Sequence, residues 1–555
     1  MSIVQVTPGV YLVDFGRVAF GNLLLHPPAS AHAALTVRFG EAMKDGRIDP
    51  HPPGTVRYAS VTIPATPTPD ASAAIIAAPP ADPRNTKPPA VLTPAEWGVV
   101  MPFRWVEVEG WPGELRPDRI RRRAAFDSSW QDDAATFHSS DPMLDQVWEL
   151  CHYSIKATTF AGVFVDGDRE RLAYEADAYL SQLSYYAGDP DPQMARATFD
   201  RLVQYPTWPT EWAPHMVFMA YADWLQTGDI AWLAAHYEGL KSKLLDQRAG
   251  PDGLILSNRQ QASHDDIVDW PASERDGYVF TPVNTVVNAF HLRALQRMSE
   301  LALALGKKDE AANFHQRRQA ALVVFQQKLF DPATGLYRDG VGTDHTSQHA
   351  NLFPLAFDLV PAEDRPHLAQ WLAQRGMAGS PYVAQYLLES LFENGQDAAA
   401  LALITASGDR SWRHMVESGT TITWEAWDRK FKPNQDWNHA WGAAPANLLP
   451  RFVLGVQPLT PGWRRALVQP HAGSLTSAEG KLPTPRGPVT VDWKRTATFT
   501  IRITLPAGMT AKVVLPALPA SSGVWIAGRP APAHREGPWW TLDRDVSGST
   551  SIQER

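Results

Sequence analysis

The chain has 555 residues, of which 44% are hydrophobic and 20% charged, and it carries a formal net charge of −8. That length allows several domains with at least one large core, and the acidic balance, with no Lys/Arg block, excludes nucleic acid or an anionic membrane surface as the main partner. The single cysteine, Cys151, excludes a disulfide framework and a cysteine-rich zinc site, and its setting "DQVWELCHYS" reads as core rather than nucleophile.

Residues 1–140 read mostly as strands. The opening "MSIVQVTPGVYLVDFG" alternates with period two and has no basic n-region followed by an apolar h-region, so a cytoplasmic location is expected. "ALTVRFGEAM" and "FRWVEVEGW" continue the pattern. Between them, residues 63–94 are rich in Pro and Ala and predict an extended surface loop. From 141 to 455 the period turns helical, starting at the Asp-capped "DPMLDQVWELCHYSIKAT". Roughly a dozen such segments follow, joined by Gly- and Pro-marked turns. Helix hairpins in that number predict an (α/α)6 barrel. From 456 to 555 short strands return with frequent turns, as in a β-sandwich. The expected architecture is a central (α/α)6 barrel flanked by N-terminal and C-terminal β-sandwich domains. No apolar run is long enough to span a membrane.

Chemistry concentrates in three places. "FVDGDRERLAYEAD", residues 164–177, holds Asp166, Asp168, Glu170, Glu175 and Asp177. Glu170, Tyr174 and Asp177 have i, i+4, i+7 spacing, which predicts one helix face, with Gly167 in the preceding turn and Asp168 as N-cap. The spacing alone fits either acids complementing a helix dipole or an acidic pocket in which crowding raises a carboxyl pKa. "TTITWEAWDRKFKPNQDWNHAWG" sets Glu425 beside Trp424 and Trp427, with His439 further on. It reads equally as a Trp-rich packing loop or as a sugar platform with a base. "YPTWPTEWAPHM" and "HDDIVDWPASERDG" supply Trp208, Trp212 and Trp270 beside Asp265, Asp266 and Asp269. That Asp spacing does not match a calcium loop, and no zinc or phosphate-binding motif occurs. The 21 tryptophans favour a carbohydrate ligand, although core packing accounts for many of them.

Taken in order, these motifs carry a resemblance. "DGDRERLAYEAD" resembles the "DCPxRERLGWTGD" motif of α-L-rhamnosidases of glycoside hydrolase family 78. "TTITWEAWD" with "WNHAWG" resembles that family's "TTIWExW…NHYAFG" region, and "GVQPLTPGWRRALVQPHAG" the start of its C-terminal sandwich. "YLVDFGRVAFGNLLLH", "RFGEAM" and "FRWVEVEG" resemble its preceding β domain. The resemblance implies Glu170 as general acid and Glu425 as general base. It implies Asp166 and Asp177 on the rhamnose hydroxyls, His439 lining the pocket, and Trp212 and Trp270 as an apolar wall. Arg169 would orient carboxylates, and Tyr174 and Trp424 would join the substrate-binding set. The chain departs from the motif in its shorter "DG" turn, in Tyr174 for Trp, in Glu175 for a small residue, and in Pro214 for an acid.

The expected activity is exo-acting, inverting release of terminal α-L-rhamnose from an oligosaccharide or plant glycoside, with no metal or organic cofactor. The partner is then a rhamnose-containing glycoside rather than a nucleic acid or membrane, and a homodimer is compatible with the sequence. Neighbouring Asp166 and Asp177 would raise the pKa of Glu170. Three rival readings stay open: a related barrel glycosidase for another terminal sugar, a polysaccharide lyase with Tyr174 as base, and a sugar-binding protein without catalysis.

Overall fold

The computed structural model describes residues 1–28, 33–65, 74–519 and 521–555. The N-terminal sheet is organised by one long strand, Val10–Leu25. Its first half pairs with Ser2–Thr7 and Met101–Glu109. The register breaks between Asp14 and Ala19, and the second half pairs with Ile120–Ala124 and Ile75–Ala77. Such a break lets one strand bend from one layer into the next. Alternating side chains of Val13, Val37, Phe39, Phe103, Val106 and Val108 fill the interior. Part of the Pro/Ala stretch, residues 66–73, lies outside the described residues. Ile75–Ala77 corrects the expectation of a loop there, because it is a short strand whose backbone pairs with Leu23–Leu25.

The helical region closes into a ring. Glu175–Gly188, His215–Thr227, Thr285–Ala304, Gln348–Ala356, Pro381–Glu393 and Pro445–Leu448 pack each against the next, and the last against the first. Each follows an outer helix: Pro142–Thr158, Gln193–Gln204, Ile230–Leu240, Lys308–Leu329, Arg365–Arg375 and Asp397–Ile404. Sequence separates the two layers. Pro381–Glu393 buries almost every residue, as an inner helix must. Gln193–Gln204 buries only the stripe Met194, Ala195, Thr198, Phe199 and Leu202. Asp141, Asp229, Asn284, Ser347 and Ser380 cap their helices by accepting backbone N–H bonds. Cys151 is buried in the first outer helix.

The C-terminal region forms two sheets, one built on Ser477–Leu482, Val489–Arg495, Phe499–Thr504 and Ser549–Glu554, the other on Arg465–Val468 and Thr510–Pro516. Trp493 is fully buried and donates to the Val453 carbonyl at 2.8 Å, which ties this unit to the end of the barrel. The strand Thr136–Ser139 precedes the first barrel helix, yet it pairs with Ser477–Leu482 of the C-terminal sheet. No helix among the described residues is long and apolar enough to cross a membrane.

Candidate active site

The inner helices leave the mouth of the barrel to the loops that lead into them. One open pocket there, with about 440 Å³ of space counting its mouth, is lined by Asp166, Arg169, Glu170, Tyr174, Asp177, Trp208, Trp212, Ile267, Trp270, Glu425, His439 and Trp441. Nine of the ten residues expected from the sequence therefore meet. Trp424 does not: it points away from the pocket of its neighbour Glu425 and lines a separate cleft with Trp437, on which it stacks. Trp208, Ile267 and Trp441 were not expected in the pocket. Ile267 carries no signal in the sequence, whereas Trp441 sits two residues beyond His439.

The acidic segment reaches the pocket without forming the expected helix. Helix Glu175–Gly188 begins only at its end, and Tyr174 occupies the N-cap position. Gly167 and Arg171 have φ of 141° and 49°, incompatible with a helix through 166–174. Asp168 is not a cap. It is buried and accepts from Arg171 Nε at 3.0 Å and from Arg57 Nη1 at 3.0 Å. A Cβ on Gly167 would lie 2.8 Å from Asp436 Oδ2, so the turn depends on glycine. The N-terminal domain braces this floor: Thr55 Oγ1 donates to Asp436 Oδ1 at 2.7 Å, and Asn85 Nδ2 to the Asp168 carbonyl at 2.7 Å.

The carboxylates are of two kinds. Glu425 is 2% exposed. Its oxygens accept from Arg169 Nη1 at 2.9 Å, Arg169 Nη2 at 3.0 Å and Asp436 N at 3.0 Å, and Lys432 Nζ stands 3.3 Å from Oε1. Burial acts to raise its pKa, but His439, Arg169 and Lys432 outweigh it and hold the carboxyl below its ordinary value. His439 acts only when protonated, and burial drops its own pKa to about 3. Near neutrality the Arg169 guanidinium and the Lys432 ammonium, whose own pKa burial lowers, therefore keep Glu425 ionised. Asp166 and Asp177 are each 3% exposed and are pushed well above the ordinary range. Burial is the main cause for both, followed by Glu170 and Asp177 for Asp166, and by Glu425 for Asp177.

Glu170 keeps 38% of its side chain exposed and accepts from Tyr174 Oη at 2.8 Å. Arg169 Nε lies 3.4 Å from its Oε1, so one guanidinium touches both Glu170 and Glu425. The ring of Tyr174 meets Trp212 edge-on at 5.4 Å. Lys432 lies over Trp270 at 5.7 Å. His439 Nε2 is 3.6 Å from Asp177 Oδ1, while His439 Nδ1 and Asp177 Oδ2 are buried with no hydrogen-bond partner among the described residues.

In the third motif the tryptophans reach the pocket, whereas Asp266 and Asp269 are structural. Asp266 binds Arg248 and Asn284, and Asp269 binds His349 and the backbone N–H of Ser380. Glu211, buried beside Trp212, accepts from the N–H groups of Ile267 and Val268 at 3.1 and 3.0 Å. It thereby holds Val268 at φ 62°, an outlier for a β-branched residue, and sets Ile267 and Trp270 against the pocket. Among the described residues no group of three His, Cys, Asp or Glu side chains is placed to hold a metal ion.

A family model, the bacterial α-L-rhamnosidase six-hairpin glycosidase domain, matches residues 132–453. The chain belongs to this bacterial α-L-rhamnosidase family. The models of the α-L-rhamnosidase concanavalin-like and C-terminal domains match residues 4–126 and 455–525. An α-L-rhamnosidase of Alteromonas sp. (strain LOR) is 24% identical over 93% of the chain and 57% of its own length. The chain spans about half the length of the curated rhamnosidases it matches. Among solved structures, the α-L-rhamnosidase of Dictyoglumus thermophilum superposes with a TM-score of 0.80 at 19% identity, over 100% of this chain and 63% of that one. The Streptomyces avermitilis α-L-rhamnosidase complexed with L-rhamnose gives 0.78 at 19% identity, over 100% and 53%. The rhamnosidase fold thus extends through all three regions.

Proposed function

We propose that the chain is an exo-acting, inverting α-L-rhamnosidase, with Glu170 as general acid and Glu425 as general base. The observation that carries this reading is the pairing of a partly exposed carboxyl with a buried, ionised one across a single guanidinium. The guanidinium touches Glu170 at 3.4 Å and Glu425 at 2.9 Å and so lies between the two carboxyls, as suits an acid and a base held apart with a water between the base and the sugar. Glu170 would give its proton to the glycosidic oxygen as the bond to the anomeric carbon breaks. Glu425 would take a proton from the water that attacks the opposite face. Four donors already surround Glu425, and the longest contact, Lys432 at 3.3 Å, is the one a water displaces most easily.

The substrate class rests on the pocket and the relatives. The small pocket suits one terminal ring. Trp212, Ile267, Trp270 and Trp441 give an apolar wall for the methyl group of a deoxysugar, and the unpartnered polar atoms of His439 and Asp177 suit its hydroxyls. The names of the relatives and the L-rhamnose in the Streptomyces structure support rhamnose itself. A lyase reading is disfavoured, because burial, Asp166 and Glu170 push the Tyr174 phenol far above its ordinary value, and its hydroxyl donates to Glu170. Proton NMR of early time points tests the mechanism. The β anomer of rhamnose appears first from an α-linked substrate, and an initial α anomer overturns Glu425 as base.

A further inference from the structure

On the other side of the segment that carries Glu425 lies a second, larger cleft of about 1220 Å³, between the N-terminal sheet and the barrel. Trp105 comes from the strand Met101–Glu109, and Trp424 and Trp437 come from the Glu425 segment. Trp424 and Trp437 stack at 5.7 Å with their planes 22° apart. The Arg104 guanidinium lies over Trp105 at 4.5 Å and is fixed by two hydrogen bonds to Asp14.

The polar groups of this cleft are under-used. Trp424 Nε1 and Trp437 Nε1 are both buried and have no acceptor among the described residues. Trp424 itself is only 6% exposed. Buried indole N–H groups normally find a partner, so two orphans in one cleft need an explanation. Arg429 is exposed at the same cleft and forms no ion pair or hydrogen bond among the described residues. Asp49 spends one oxygen on the N–H of His51 at 2.8 Å. The charges at the cleft offset one another: Arg104 is matched by Asp14, burial pushes the Glu41 carboxyl well above its ordinary value, and Asp49 and Arg429 carry opposite signs. A balanced lining selects against strongly charged ligands. The half-buried indoles of Trp105 and Trp437 suit the C–H face of a sugar ring, and the exposed Arg429 guanidinium and the second carboxylate oxygen of Asp49 suit its hydroxyls.

We propose that this cleft is a second carbohydrate-binding site, taking a neutral pyranose residue of a glycan apart from the pocket of Glu170 and Glu425. It stands on its own lining and does not depend on the activity proposed above.

Calorimetric titration of the whole chain with cellobiose, maltose, lactose and methyl α-L-rhamnoside tests it. At least one of these sugars binds with millimolar affinity, and Trp105→Ala and Arg429→Ala each weaken that binding by about tenfold, a factor worth ~1.4 kcal/mol. Neither variant changes turnover of an aryl α-L-rhamnoside. Arg429 is exposed, so its variant keeps the fold and serves as the decisive one if Trp105→Ala lowers the melting temperature. The proposal is overturned if none of the four sugars binds, or if binding ignores both variants. It is equally overturned if His439→Ala alone abolishes binding, which would put the sugar in the first pocket. Absence of turnover on every rhamnoside would remove the proposed activity and leave the binding result intact.

Discussion

Asp177 and Glu425 line the same pocket, are buried to nearly the same degree, and are driven in opposite directions. Burial pushes both carboxyls upward. The difference lies in the cations: Glu425 has the fork of Arg169 and the ammonium of Lys432, whereas the partner of Asp177 is a histidine that burial keeps neutral. Depth alone therefore does not assign protonation states here; the placing of the Arg169 and Lys432 charges does.

Removing the carboxylate on the cationic side has the largest expected effect. Glu425→Gln lowers turnover of an unactivated rhamnoside by at least ~10²–10⁴-fold, and Glu170→Gln does likewise. The two separate with a good leaving group, which rescues Glu170→Gln and not Glu425→Gln. Equal rescue of both in steady-state assays would break the assignment.

Arg169→Met attacks the comparison itself. It leaves Glu425 buried with Lys432 alone, at a cost of about 3–5 kcal/mol in denaturant unfolding, the range for breaking a buried pair. With Arg169 present the folded carboxyl lies below its ordinary value, so its stabilisation holds above the ordinary Glu range and fades as pH falls through the folded value. Without Arg169 burial dominates, and the acid limb of the pH–rate profile moves upward. An unmoved limb would mean that Arg169 does not set the state of Glu425.

Trp270→Ala weakens rhamnose binding by ~1.5–3 kcal/mol, as loss of a large apolar contact requires. Trp270 is half-buried, so its melting temperature falls little. A large thermal loss with intact affinity would make it a packing residue.

The smallest effect is a gain. The folded pKa of Asp177 is raised, so ionising it costs stability as pH climbs from the ordinary carboxyl range through the folded value. Asp177→Asn removes that cost and stabilises the protein at neutral pH by about 0.5–2 kcal/mol, while impairing sugar binding. Melting curves across pH check this: the gain vanishes in acid, and a gain equal at all pH values would refute it.

The barrel was legible from helix count and hairpin turns, and the site from an ordered set of motifs. Three features were not. Helical spacing at 170, 174 and 177 was misleading, because positive φ at Gly167 and Arg171 and the ion pairs of Asp168 fold that stretch as an irregular loop. Trp424 was assigned by adjacency to Glu425, although the two neighbouring side chains line different clefts. Lys432 and Asp436, which fix Glu425, sit in a polar run whose pattern gives no sign that both are buried. Asp436 is raised to about 6, chiefly by burial, and only its packing against Thr55 and Arg169 shows why it is there.

The strand Thr136–Ser139 is made early in the chain and paired late. Its hydrogen-bonding partner, Ser477–Leu482, lies on the far side of the whole barrel in the chain. During synthesis that edge waits unpaired until the barrel and the first C-terminal residues have emerged. Closing so long a loop makes the contact a late, slow event. Once made, it stitches the entrance of the first barrel helix to the body that follows the last one, so the ring is fastened at both ends to a single sheet.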